Sequence, residues 1–157
     1  LIVKDGAPSI SNNVISDGIH ADAKGGPVTI TNNELTSKNG FIVIYIQGIH
    51  AIISGNKIIG NNKMGIYIWL RISSALIEDN QISNCTTGIW ADAGAGASDM
   101  QIVRNAVFNN NIGLYLWCPV DVRDNTVSNN SIGIEGILST FHNNNIANNT
   151  FFILQSF

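Results

Sequence analysis

Charge is scarce in this chain of 157 residues. Asp, Glu, Lys and Arg make up 12% of it, against about 25% in an ordinary soluble domain. Eight Lys and Arg stand against eleven Asp and Glu, a net charge of −3. So few and scattered cations form no phosphate-tracking patch, which excludes nucleic acid as a partner. The only two cysteines, Cys85 and Cys118, fall in different coils of the repeat described below. A disulfide is therefore not expected, and the redox compartment stays open. Long apolar runs are missing too: 45% of residues are hydrophobic, yet no stretch long enough for a transmembrane helix escapes polar interruption. The opening residues carry no signal-peptide pattern. The length suits a single domain spanning residues 1–157.

Asn and Ile fill the space that charge leaves, with 22 and 26 copies. Ile is stiffened by β-branching and favours strands, whereas Asn tolerates the left-handed turn conformation. Together they predict many short strands joined by tight turns. Their order is periodic. An apolar residue, two variable residues, Asn, one variable residue and a second apolar residue recur as Ile10–Asn13–Ile15, Ile30–Asn33–Leu35, Ile53–Asn56–Ile58 and Ile77–Asn80–Ile82. Three more copies follow, Ile102–Asn105–Val107, Val122–Asn125–Val127 and Phe141–Asn144–Ile146. Successive Asn residues are 20, 23, 24, 25, 20 and 19 apart. Each Asn but the last is followed by a Gly-apolar pair: Gly18–Ile19, Gly40–Phe41, Gly65–Ile66, Gly88–Ile89, Gly113–Leu114 and Gly133–Ile134.

Around each Asn the apolar residues alternate at period two, so the repeat is built of strands and not helices. One such coil cannot bury its inward face alone. Stacked coils put Ile on Ile and close the backbone hydrogen bonds. The repeated Asn is expected at a left-handed turn position, its amide bonded to the Asn above and below. Ile77-Glu-Asp-Asn-Gln-Ile-Ser-Asn followed by Gly88-Ile89 resembles the parallel β-helix repeat family, which includes pectate-lyase-like proteins. The resemblance covers almost the whole chain. It implies an all-β fold, a single-stranded right-handed parallel β-helix of about seven coils, and it says little about activity because lyases, hydrolases, epimerases, tailspikes and adhesins share such repeats. Both ends read as apolar and uncapped, which predicts a longer parent protein or a partner covering them.

Strand alternation assigns the outward face. With the residue after each Gly inside, the second position reads His20, Ile42, Tyr67, Trp90, Tyr115, Glu135 and the fourth reads Asp22, Ile44, Trp69, Asp92, Trp117, Ile137. All three tryptophans and two of the three tyrosines then project from one side. Aromatic rings stack on the C–H faces of pyranoses, and coils about 4.8 Å apart suit sugars along a polymer. A polysaccharide is the expected partner, held by Tyr67, Trp69, Arg71, Trp90, Asp92, Tyr115, Trp117 and Glu135, with Arg71 available to a uronate carboxylate. The Ala93–Asp99 insertion is a candidate wall of this site. The setting expected is extracellular or cell-surface. The opposing expectation is a non-catalytic structural or adhesive repeat. There the patch, extended by Ile42, Ile44 and Ile46, is an assembly interface with another copy or with the remainder of a longer chain.

Catalysis is left open by these residues. His20, Asp22 and Lys24 form the one local acid–base cluster on the outward face, and Asp92 lies three coils from it, too far for a paired carboxylate mechanism. The pectate-lyase resemblance implies Ca²⁺ on clustered Asp, but no Asp trio converges, so no metal and no cofactor are expected. Asp79, Arg104 and Asp124 precede their Asn in consecutive coils and read as a surface salt ladder. His50 and His142 stand alone, which gives no zinc pattern.

Overall fold

A computed structural model of the chain describes residues 1–23, 25–92 and 99–154. Lys24 and residues 93–98 of the insertion lie outside the described residues, and of Arg71 only the backbone is described. Every described strand pairs in parallel with strands of the neighbouring coils, forming a β-solenoid. Each coil contributes to three strand columns. The first holds Ile19–Ala23, Thr87–Asp92, Ile112–Leu116 and Ile132–Gly136, and the second holds Val28–Thr31, Asp99–Val103, Asp121–Arg123 and Thr140–His142. The third holds Glu34–Thr36, Gln81–Cys85, Ala106–Phe108, Thr126–Ser128 and Asn145–Ala147. Two long strands turn corners without breaking: Ile42–Ser54 serves the first two columns and Lys57–Glu78 serves all three.

The interior is a set of vertical aliphatic stacks, as the period-two pattern requires. Ile19, Ile44, Ile66, Ile89, Leu114 and Ile134 share one inward row, and Ile30, Ile53, Ile77, Ile102 and Val122 share another. All are buried. Removing one such side chain from water is worth roughly 1.5–3 kcal/mol, so the stacks hold coils that could not stand alone.

The predicted Asn ladder exists, with one correction to its geometry. Left-handed φ values belong to the residue before each ladder Asn: Asn12, Asn32, Gly55, Asp79, Arg104, Asp124 and Asn143. The preceding residue makes the turn so that the Asn amide can enter the stack. Asn56 Nδ2 donates to Asn80 Oδ1 (3.0 Å), Ile30 O (2.8 Å) and Ser54 O (3.1 Å), while its Oδ1 accepts from Asn33 N and Nδ2, both at 3.0 Å. Asn80 and Asn105 repeat the scheme. The interior amides are thus satisfied although buried.

A second ladder appears where the sequence analysis expects none. Asn110, Asn130 and Asn149 stack at the next corner, each preceded by a left-handed Asn (Asn109, Asn129, Asn148). Cys85 heads it and donates its backbone N–H to Asn110 Oδ1 at 2.9 Å. It ends there because the coil above has Gly60, where an added Cβ would sit 2.6 Å from Cys85 Sγ. Cys85 and Cys118 are both buried.

Candidate aromatic surface

The first strand column has two outward rows. Backbone register places His20, Tyr45, Tyr67, Trp90, Tyr115 and Glu135 in one line. The second line runs Lys4, Asp22, Gln47, Trp69 and Asp92. It continues through Trp117 and Ile137, whose amides donate to Ala91 O and Leu116 O. Tyr67, Trp69, Trp90, Asp92, Tyr115, Trp117 and Glu135 therefore share the face that the sequence assigned them.

The second coil departs from that assignment. Ile44 and Ile46 are fully buried, and Tyr45 and Gln47 take the outward places. In this coil Gly40 is out of register: Ile42 pairs with Met64 and Ile44 with Ile66, which puts Val43 where the other coils have glycine. The proposed apolar extension over Ile44 and Ile46 is thereby removed, since both belong to the core. The signal that would have found Tyr45 is the identical triplet Ile44-Tyr45-Ile46 and Ile66-Tyr67-Ile68. True register glycines are needed because coils approach closely there. A Cβ on Gly113 would lie 2.4 Å from Gly133 O.

The rings make an unbroken ladder. Centroids are 4.6 Å apart for His20–Tyr45, 5.5 Å for Tyr45–Tyr67, 5.0 Å for Tyr67–Trp90 and 4.9 Å for Trp90–Tyr115, and Trp117 joins Tyr115 at 5.7 Å. These are stacking and edge-to-face separations worth roughly 0.5–1.5 kcal/mol each. Trp69 and Trp117 keep 47% and 46% of their surface exposed, and Trp69 makes no ring contact with another described residue. Burial raises the Tyr45 and Tyr67 phenol pKa values, and the charges of Asp22 and Asp92 beside them push in the same direction. The surface is therefore aromatic with an acidic border.

His20 and Asp22 lie two residues apart on the outward face of one strand. Near His20 a cavity of about 390 Å³ is lined by Ile2, Asp17, Phe41 and Tyr45. On the second column His50 is not alone, since its Nδ1 meets Ser74 Oγ. Asp99 pairs with Ser74 from the other side and accepts a hydrogen bond from Gln101 at 2.8 Å. Ser74 thus sits between His50 and Asp99, the wrong order for an acid that orients a histidine base. Among the described residues no group of three potential ligands could hold a metal ion. The salt ladder is narrower than expected. Arg104 grips Asp79 through Nε (2.9 Å) and Nη2 (2.8 Å) and reaches Glu78 at 2.6 Å, and Asp124 is not part of it. Arg104 holds the Asp79 carboxyl below its ordinary pKa by these hydrogen bonds.

Comparison with curated proteins and with solved structures finds no match. A family model described as right-handed beta helix region matches residues 1–151, nearly the whole solenoid. The chain belongs to the right-handed β-helix family.

Proposed function

We propose that this chain is a polysaccharide-binding β-helix module, working outside the cell or at its surface, that lays a glycan along the aromatic face. One observation carries this reading: Trp69 and Trp117 present half of their indole surface beside a ladder of rings and carboxylates. Exposed aromatic area of this kind is expensive in water and is covered favourably by the apolar face of a sugar. Asp22, Gln47 and Asp92 on the same row supply hydrogen-bond partners for hydroxyls. Rungs about 4.8 Å apart allow one sugar per coil.

The test is affinity electrophoresis through gels containing neutral or uronic polysaccharides, with tryptophan fluorescence titration alongside. Retention by at least one polymer, lost in Trp69→Ala and Trp117→Ala, is the expected result. Equal mobility of wild type and both variants in every gel removes the proposal. Turnover by a lyase, hydrolase or epimerase is a separate matter. It centres on His20 and Asp22 and is read as new chain ends or epimerised product that His20→Ala abolishes. A second reading, an assembly interface, is favoured by Phe41, which is 81% exposed near the same surface. A stable oligomer in light scattering, with the tryptophans shielded from quencher, supports that alternative.

A further inference from the structure

We propose that the aromatic face is matched to a neutral glycan joined by diequatorial 1→4 linkages, lying parallel to the solenoid axis with one sugar per rung. This rests on the glycan-binding reading above and adds charge and linkage to it. Trp69 and Trp117 stand two rungs apart with Asp92 on the rung between them. At about 4.8 Å per rung their rings are roughly 10 Å apart along the axis. A diequatorial 1→4 chain is a flat ribbon in which successive sugars are turned by half a rotation. The same ring face then recurs at every second sugar, which is the period of the two exposed tryptophans. Axial linkages coil the chain and do not keep one face against a flat sheet. The sugar between the two tryptophans presents its hydroxyls to Asp92.

Charge selects against uronates. Between Trp69 and Glu135 the charged side chains described on this face are both carboxylates, Asp92 and Glu135, and Asp22 adds a third further up. A polyuronate would bring a carboxylate to nearly every rung and meet like charge at Asp92 and Glu135, while the cation described on this face, Lys4, stands at its far end beside Asp22. Neutral hydroxyls instead donate to these carboxylates in charge-assisted hydrogen bonds. Trp69 supports a ligand over mere self-packing: unlike Trp90 and Trp117 it takes no part in the ring ladder, yet it is held half-exposed in the strand.

The experiment is calorimetric titration of the full chain with cellohexaose, mannohexaose, laminarihexaose and β-1→4-linked hexamannuronate, a uronate with the same diequatorial linkage. Cellohexaose or mannohexaose should bind, with hexamannuronate and laminarihexaose at least about tenfold weaker, a ratio equal to the loss of one good aromatic contact. Trp69→Ala and Trp117→Ala should each weaken the winning ligand by about tenfold or more. Asp92→Asn, a nearly isosteric change at the surface, should bring hexamannuronate closer to the neutral ligands. Tightest binding of hexamannuronate, with the tryptophans still required, overturns the neutral assignment and leaves the glycan surface standing. Unchanged discrimination in Asp92→Asn removes the charge argument. Silence of all four oligosaccharides, together with free mobility in every polysaccharide gel, sinks both proposals.

Discussion

The Asn corner and the aromatic face are both vertical stacks of one residue class, and they differ in what they leave unsatisfied. At the corner each interior amide gives and receives every hydrogen bond it can, so the stack is closed. On the aromatic face the ladder rings touch one another but half of Trp69 and Trp117 stays open, and the Trp90 indole N–H has no hydrogen-bond partner among the described residues. The two also differ in tolerance of length. Four residues separate second-column Gln101 from Asn105 and Asp121 from Asn125, whereas eleven separate Trp90 from Gln101 and six separate Tyr115 from Asp121. Repetition alone therefore marks structure. Function is to be sought where a stack repeats without closing.

The sharpest way to break this contrast is Asn80→Ala. It removes the acceptor of the buried Asn56 backbone N–H, the side-chain donor to the Ile53 carbonyl and one of the three acceptors of the Asn56 amide. With about 1–3 kcal/mol for each buried group left unpaired, the expected loss is about 3–5 kcal/mol. Trp117→Ala gives up the Tyr115 ring contact and the buried half of the indole, and should cost less, about 1–2 kcal/mol. Urea denaturation of both variants decides the matter, and equal losses would erase the distinction. Next in size, Gly113→Ala drives a methyl into the Gly133 carbonyl and should destabilise by about 1–3 kcal/mol. Gly40→Ala meets the Ser37 hydroxyl, a side chain that can turn away, and should cost less than about 1 kcal/mol. A larger loss at Gly40 would argue that it and not Val43 holds the register.

Smaller effects sharpen the same comparison. Burial pushes the Cys85 thiol up to about 12, so a disulfide reagent at pH 8 should leave it unmodified until the coils unfold. Rapid labelling in native buffer would show that the second Asn ladder opens. Least of all, the Asp79–Arg104 pair sits at the surface. Its carboxyl pKa is lowered in the folded state, so its contribution is present above the ordinary carboxylate range and fades as pH falls through the folded value. Arg104→Gln should flatten the acid limb of a stability–pH curve slightly, and in high salt the difference from wild type should shrink.

Much of this molecule was legible in the chain because its information is local and repeated. Period-two alternation fixed the inward rows, and the Asn spacing fixed the seven rungs at the corner, which enclose six full turns. Two things were not legible. The second coil carries a glycine that looks like the others but lies outside the register, so Tyr45 and Gln47 were read as Ile42 and Ile44. The Asn110–Asn130–Asn149 ladder hid behind the denser first one.

Composition and periodicity by themselves determined that strands stack, since Ile must be buried and a lone coil cannot bury it. Only the tertiary structure decided which side chains from different coils touch. Register is set by backbone pairing summed over many rungs and by how far each corner loop reaches, and neither quantity is written in any single repeat.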